Sequence, residues 1–438
     1  MDAIELHELY KQRYKGSSNW NSVCTSGSMF TTISASNDAD ERLAAVGCAL
    51  NSMQRYLRGF GDDGYCSEGS GYWVYGFGHY LYLAQIVYDY TEGKINMFEF
   101  DNPEKLKNIG KYPERYEIQN GTCAPFADGF SSVSDNGGFA AVLSAKYLGA
   151  RKPTARRRPS GSDRPERARR SPVSQGEASY QLIAWENIEA FLPDPNVDAT
   201  TQEMPDHTYF DEFGMVISRG KQEVPFSIAI KAGHNSENHN HMDVGTYTIV
   251  LDRDNVTGDI GRPSYIAGAF DDDNPARSSW GHPVPRIDNI LQSKGRKFSG
   301  TITATEFTEA HDKVVIDIKA AYEIPSLTKL IRTMENDKSG LGTISISDEF
   351  SSAEPVVFGT AIMTNDTYEV IDANTVILNS ENQKLKAEIL SEGASIKIID
   401  ELVPVEHLGE GAPAYRIGID FTEPISEGTI TVIYTPVI

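Results

Sequence analysis

Cysteine is scarce in this chain: four in 438 residues, at Cys24, Cys48, Cys66 and Cys123. None forms a Cys-x-x-Cys pair, so a thiolate zinc site has no framework here. Four are also too few to require a disulfide scaffold, and thiols in a helical core are the simplest reading. No apolar run reaches the roughly 18 residues that a membrane-spanning helix needs. The first residues, MDAIELHELYKQRYK, lack the basic-then-apolar order of a secretory signal. Positive charge is short as well, with 40 Lys and Arg against 62 Asp and Glu and a formal net charge of −22. A field of that sign disfavours nucleic acid and anionic membranes as partners. It still permits an anionic substrate wherever a local Arg, Lys or His cleft opposes it.

What is present suffices for a large core: 39% hydrophobic residues, 10% of the chain aromatic, and a length that fits two or three domains. Residues 40–60 place Leu43, Val46, Leu50, Met53 and Leu57 at three- and four-residue spacing, which predicts a helix capped by Asp38 or Asp40. A polar loop over 60–71 precedes a second helical stretch, YWVYGFGHYLYLAQIVYDYTEG, and DNGGFAAVLSAKYLG at 135–149 predicts a third. Residues 151–170 break this character, carrying nine of the chain's Lys and Arg residues and only Asp163 and Glu166 as acids. The segment has no interleaved aromatics, so it reads as a solvated loop rather than a nucleic-acid site. From about residue 208 the pattern becomes short β-branched and aromatic runs of period two between Gly, Asp and Asn, which predicts stacked antiparallel sheets.

Chemistry concentrates in two places. The first is NHNHMD, residues 238–243. If extended, it puts His239, His241 and Asp243 on one face, too far apart along the strand to close around one small ion. A metal site then takes one histidine here and its other ligands from later loops, with Asp259 in TGDIG, His282 in WGHPVP and His234 in AGHNS as candidates. Four of the nine histidines fall between residues 234 and 282. The bland alternative, a polar strand edge with hydrogen-bonded histidines, has equal weight on these residues alone. The second place is GSSNWNSVC, residues 16–24, with EGSGYWVYGFGHY, residues 68–80. Asn19, Trp20, Asn21, Glu68, Tyr72 and Tyr75 combine aromatic rings with short polar groups, as sugar-binding grooves do. A helix core with tyrosine hydroxyls at its edge would give the same composition.

Taken together with HNSENHNHMDVGTY, TGDIGRPSY and WGHPVP, these stretches resemble the heparinase II/III-like proteins, polysaccharide lyases and their relatives. The resemblance implies a multidomain α+β chain: an incomplete (α/α) toroid over residues 1–200, containing the irregular 151–170 segment, then a large antiparallel β-sandwich region over 201–438, subdivided near 345. It implies His239 and Tyr75 as catalytic residues, with Tyr72 as the rival tyrosine. Asn21, with Asn19 as the less favoured choice, would neutralise the substrate carboxylate. A structural zinc would be held by His241, Asp259 and His282, leaving Asp243 beside it. Trp20, Glu68 and Arg277 are expected to contact substrate, and Arg219, Arg262 and Arg286 are further candidates for binding its carboxylate or sulfate. Only about 20 residues precede Asn21, so the toroid is expected to be truncated.

The reaction implied is β-elimination at a uronic acid: a base takes the C5 proton, the C4–O bond breaks and a 4,5-unsaturated sugar remains. Tyr75 and His239 would divide the base and acid roles. The expected partner is an acidic polysaccharide or oligosaccharide, with a homodimer left open and a periplasmic or secreted location by resemblance. Two other readings stand beside this one. A glycoside hydrolase would use paired carboxylates such as Glu68 with Asp243 or Asp259. A carbohydrate-binding protein on a lyase scaffold would bind without turnover.

Overall fold

The computed structural model describes residues 16–131, 138–151, 204–404, 407–408 and 413–437. The basic segment beyond residue 151 and the first 15 residues lie outside them. The chain divides into two compact units. One comprises residues 1–66, 70–114 and 134–203; the other comprises 67–69, 115–133 and 204–438.

The described part of the first unit is helical. Helix α1 (Asn19–Ala35) packs on α2 (Ala39–Leu57), which starts where predicted: the Asp38 side chain accepts from the backbone N–H of Asp40 and Glu41. Val46, Met53 and Leu57 are buried as the periodicity requires, but Leu43 is exposed. The tyrosine-rich stretch forms one helical run in three parts: Ser70–Tyr72, a π-helical turn at Trp73–Phe77, and α3 (Gly78–Tyr90). Gly76 lies in that turn. A Cβ there would stand 2.8 Å from Asn19 Cβ and 2.7 Å from Tyr56 Oη, so only glycine lets α1 come this close. Shorter helices follow at Pro103–Gly110, capped by Asn102, and at Gly138–Leu148.

The second unit is antiparallel throughout. A five-stranded sheet runs in order His207–Phe210, Met215–Ser218, Phe226–Lys231, Tyr247–Leu251 and Asp254–Gly258. An eight-stranded sheet orders Thr301–Phe307, His311–Asp317, Leu327–Asp337, Thr343–Val356, Ile425–Pro436, Lys384–Glu392, Thr375–Asn379 and Thr367–Asp372. A four-stranded sheet joins Ile396–Val403, Ala414–Phe421, Phe358–Thr364 and Arg286–Ile287. Residue 345 sits inside a continuous strand of the largest sheet. Period-two sequence becomes period-two burial: Leu330, Arg332, Met334 and Asn336 point inward from one strand, and Ile344, Ile346, Asp348 and Phe350 from its neighbour. One apolar core joins the sheets through Ile228, Ile249, Leu330, Phe350 and Ile417. The hydroxyls of Tyr247 and Tyr434, 2.7 Å apart, tie the five-stranded sheet to the eight-stranded one. A helical region followed by large stacked antiparallel sheets is therefore the architecture; a closed toroid is not established.

One segment of the β unit comes from far upstream. Glu117–Gln119 and Thr122–Cys123 form a hairpin around Asn120-Gly121, both with positive φ. Gln119 donates to Pro225 O and Asp252 O at 2.8 Å each, and Arg219 donates to the carbonyls of Arg115, Glu117 and Ile118. These bonds stitch residues 115–131 onto the five-stranded sheet.

Candidate functional site

NHNHMD is not a strand. It lies in the irregular connection between the short strand His234–Asn235 and the strand Tyr247–Leu251. The alternation argument therefore does not apply, and side-chain directions follow individual backbone torsions. His239 has φ of 52°, and Ala127, in the segment facing it, has φ of 54°. Non-glycine residues in this region each cost on the order of 1–2 kcal/mol, a strain that the surrounding bonds must hold. Arg277 supplies part of that hold: its Nε and Nη2 donate to Asn240 O at 3.2 and 2.6 Å, and Met242 N donates to Arg277 O at 2.8 Å. Expected to meet substrate, Arg277 instead uses these atoms to brace the loop.

The centre of the site is Asp128, which the sequence did not single out. Its carboxylate accepts from His239 Nδ1 at 2.5 Å, from His241 Nε2 at 3.2 Å and from Tyr265 Oη at 2.6 Å. Burial opposes its charge, yet the bonds from His239, His241 and Tyr265 outweigh that cost and hold the carboxyl well below the usual range. Glu68 Oε2 stands 3.6 Å from the other nitrogen of His239. Because a carboxylate only accepts, His239 carries a proton on Nδ1, and His241 carries one on Nε2.

Beside this carboxylate lies a buried group of metal-ligating atoms. Asp243, Asp259 and His282 each offer one, all within 4.8 Å of one another. Asp259 accepts from Thr246 Oγ1 and Gly261 N at 2.9 Å each and from His282 Nδ1 at 3.0 Å. Burial works against the charge on both partners; His282 then pulls Asp259 below its ordinary value, and Asp259 raises His282. The His241 and His282 rings are 5.2 Å apart at their centroids. His241 Nδ1, His282 Nε2 and Asp243 Oδ2 are buried without a hydrogen-bond partner. Orphaned buried nitrogens and oxygen are costly in a protein interior and suit a divalent ion, although the group within 4.8 Å is Asp243, Asp259 and His282 and does not include His241. Lys231 Nζ lies 2.9 Å from Asp243 Oδ1, so that carboxylate already has a cation. His234 is set apart from the group, on the strand paired with Gly295–Ser299.

The ligand loops are anchored from the core by Arg332, which the sequence also did not mark. It pairs with Asp348 through two bonds of 2.7 Å and donates to Gly245 O and Pro283 O at 2.7 and 2.6 Å. Those carbonyls belong to the chain just beyond Asp243 and His282.

The other candidates lie in the helical unit. Tyr75 is exposed in the π-helical turn, a feature often found at functional positions, and Trp20 meets its ring edge-on at 6.3 Å. Burial first, then Cys24, raises the Tyr75 phenol above its ordinary value. Tyr72 begins the same helical run. Asn19 is buried. Asn21 is buried too, and its amide is fully used: Nδ2 donates to Gly16 O and Ser52 O at 2.9 and 3.0 Å, while Oδ1 accepts from Ser52 and Thr25.

No protein-family model matches the sequence, and no curated protein matches it. Solved structures do. The chain is similar to heparan sulfate lyase HepC from Pedobacter heparinus, with TM-score 0.65 and 14% identity over 94% of this chain and 59% of that one. It is similar to a heparinase III, with TM-score 0.61 and 14% identity over 95% of this chain and 60% of that one. The chain spans about six tenths of the length of these structures. At such identity the likeness establishes the shared fold.

Proposed function

We propose that this chain is a polysaccharide lyase of the heparinase II/III type, acting by β-elimination on a uronic-acid-containing polysaccharide. The observation that carries the reading is His239: strained, bonded through Nδ1 to a buried carboxylate, and set beside a cluster of orphaned metal-ligating atoms on a heparinase-like fold. With the proton on Nδ1, the lone pair is on Nε2, which would take a proton from C5 of a uronate, with the Glu68 carboxylate 3.6 Å away to stabilise the imidazolium that forms. The complementary role, donating a proton to the leaving C4 oxygen, falls to Tyr75. A phenol raised above its ordinary value stays protonated and suits a donor better than a base. Loss of the C5 proton is made feasible by stabilising the enolate-like carboxylate. Asn21 was expected there, but that role requires the amide to give up bonds it now makes.

The metal reading joins this proposal. Among the described residues, His241 Nδ1 and His282 Nε2 are buried imidazole nitrogens without a hydrogen-bond partner, and with Asp259 they would make an N/N/O set of the kind zinc takes. Asp243 is already paired with Lys231 and fits better as a neighbour than as a primary ligand. The ion would supply structural cross-linking, tying His241 to the loops of Asp259 and His282. Asp128 then serves as the outer carboxylate that orients His241 and, through its second oxygen, His239. Against the hydrolase reading, which pairs Glu68 with Asp243 or Asp259, Asp243 is paired with Lys231 and Asp259 is held ionised by His282, so neither of these two suits a protonated general acid. A periplasmic or secreted location, where such polymers occur, belongs to the same reading.

The test is ultraviolet absorbance of the conjugated unsaturated uronate over a panel of uronate polysaccharides, with His239→Ala as control. A rise lost in the variant supports the reading. No rise on any glycan, with bound metal verified, would sink it and favour a carbohydrate-binding protein on a lyase scaffold.

A further inference from the structure

Four arginines near the motifs were candidates for an anionic group, and the structure separates them. Arg219 donates to three backbone carbonyls of residues 115–118, to Pro205 O and to Thr208 Oγ1. Arg286 pairs with Glu401 and Asp420. Arg277 braces the NHNHMD loop. Arg262 differs from all three. Its guanidinium lies 4.4 Å from the centroid of the Phe130 ring and 5.9 Å from that of Tyr265. Its Nε is buried with no hydrogen-bond partner, and among the described residues it has no carboxylate at ion-pair distance. In a chain with 62 acids and a net charge of −22, a partly buried guanidinium without an acid is unusual. It lacks the partner that a buried charge ordinarily requires.

The rings around it are open to solvent. Phe130 is 37% exposed, Tyr265 50% and Phe270 56%, and Phe270 lies 5.3 Å from Tyr265. Tyr265 links this surface to the site, since its hydroxyl donates to the carboxylate that holds His239. The acidic run Asp271–Asp273 follows Phe270, and Lys294 Nζ pairs with Asp272 at 2.6 Å.

We infer that Phe130, Tyr265 and Arg262 form a subsite for an acidic pyranose next to His239. The carbon face of the sugar packs on the exposed rings, and its carboxylate or sulfate oxygens take the guanidinium N–H groups. Arginine suits this position because it donates in a planar fork while stacking on an aromatic face. The arrangement selects charged over neutral glycans: the rings accept any pyranose, and Arg262 accepts only one with an anionic substituent. This inference rests on the acidic-glycan reading above and adds the residues that recognise the acid.

The experiment uses the full chain carrying His239→Ala, so that bound glycan is not turned over. Oligosaccharides of one length are titrated calorimetrically: an unsulfated uronate, a sulfated uronate and a neutral glycan. Arg262→Ala and, independently, Arg262→Gln are expected to weaken both acidic ligands at least tenfold. Phe130→Ala should weaken them about fivefold, and neither Arg262 variant should alter neutral-glycan affinity. Loss for the sulfated ligand alone assigns Arg262 to sulfate, and loss for both assigns it to the carboxylate. Circular dichroism and melting temperature of each variant establish that the fold is intact. Affinities within twofold of the parent in folded variants, or no acidic glycan bound by the parent, would overturn the subsite. Elimination by the wild-type chain is scored separately. Turnover with a KM unmoved by Arg262→Ala removes the subsite and leaves the lyase reading, whereas Arg262-dependent binding without turnover does the reverse.

Discussion

Replacing Arg332 by methionine probes how the core holds the candidate metal loops. The side chain is fully buried and makes five bonds: two to Asp348, two to the carbonyls of Gly245 and Pro283, and one of 3.3 Å to Thr360 Oγ1. Methionine fills much of the volume but leaves the Asp348 charge buried and unpaired, which costs about 3–5 kcal/mol. Each carbonyl left without a donor adds about 1 kcal/mol or more. A total of at least about 4 kcal/mol follows for the β unit. For a unit of this size the melting temperature moves about 2–4 °C per kcal/mol, so a fall of about 8–16 °C is expected in a thermal melt followed by circular dichroism. The double variant Arg332→Met/Asp348→Leu removes both charges and should recover more than half of the loss. A single variant that melts within about 3 °C of the parent, or a double variant no better than the single one, would refute the argument that the ion pair and its carbonyl bonds brace these loops.

Four other outcomes can be checked. Asp128 has its folded pKa depressed, so its carboxylate stabilises the fold above the unfolded value of about 3.9, and that contribution fades as pH falls through the folded value. The stability gap between wild type and Asp128→Asn in urea titrations should therefore be wide at neutral pH and shrink progressively as pH falls below about 4; a pH-independent gap contradicts the assignment. If the lyase reading holds, the same variant should lose at least about a hundredfold in turnover, by analogy with removing the carboxylate that orients a catalytic imidazole. Chelation should lower the stability of the metal-loaded chain by about 2.7 kcal/mol when the metal had stood at a hundred times its Kd, and His241→Ala should be nearly insensitive to chelator. Gly76→Ala should destabilise the helical unit by about 1–3 kcal/mol through its clash with Asn19, whereas Gly27→Ala, with open space around it, should stabilise by up to about 1 kcal/mol.

Much of the fold was legible because it depends on local pattern. The helix at Ala39–Leu57 and its Asp38 cap follow from spacing and one side-chain bond. Strands such as Leu327–Asp337 and Thr343–Val356 follow from alternation. Thr301–Phe307, Phe358–Thr364 and Lys384–Glu392 carry a weaker signal, being polar, fully buried or weakly alternating. The Asn-Gly turn at 120–121 was a readable hairpin signal inside a region that reads as helical.

By itself, the sequence determined the inventory: a helical region followed by antiparallel sheets, histidines and acids gathered between residues 234 and 282, and aromatic stretches beside short polar groups. Periodicity and composition carry that information because they act over a few neighbouring residues. Tertiary structure decided the wiring. It brought Asp128 from residues 115–131 to His239 and His241, put Arg277 on a backbone carbonyl instead of toward solvent, laid Arg262 over the Phe130 ring, and set Arg332 under two loops. None of these follows from spacing along the chain. Each is a contact between residues tens to more than a hundred positions apart, formed because buried charges and carbonyls must find partners wherever the packed sheets bring them.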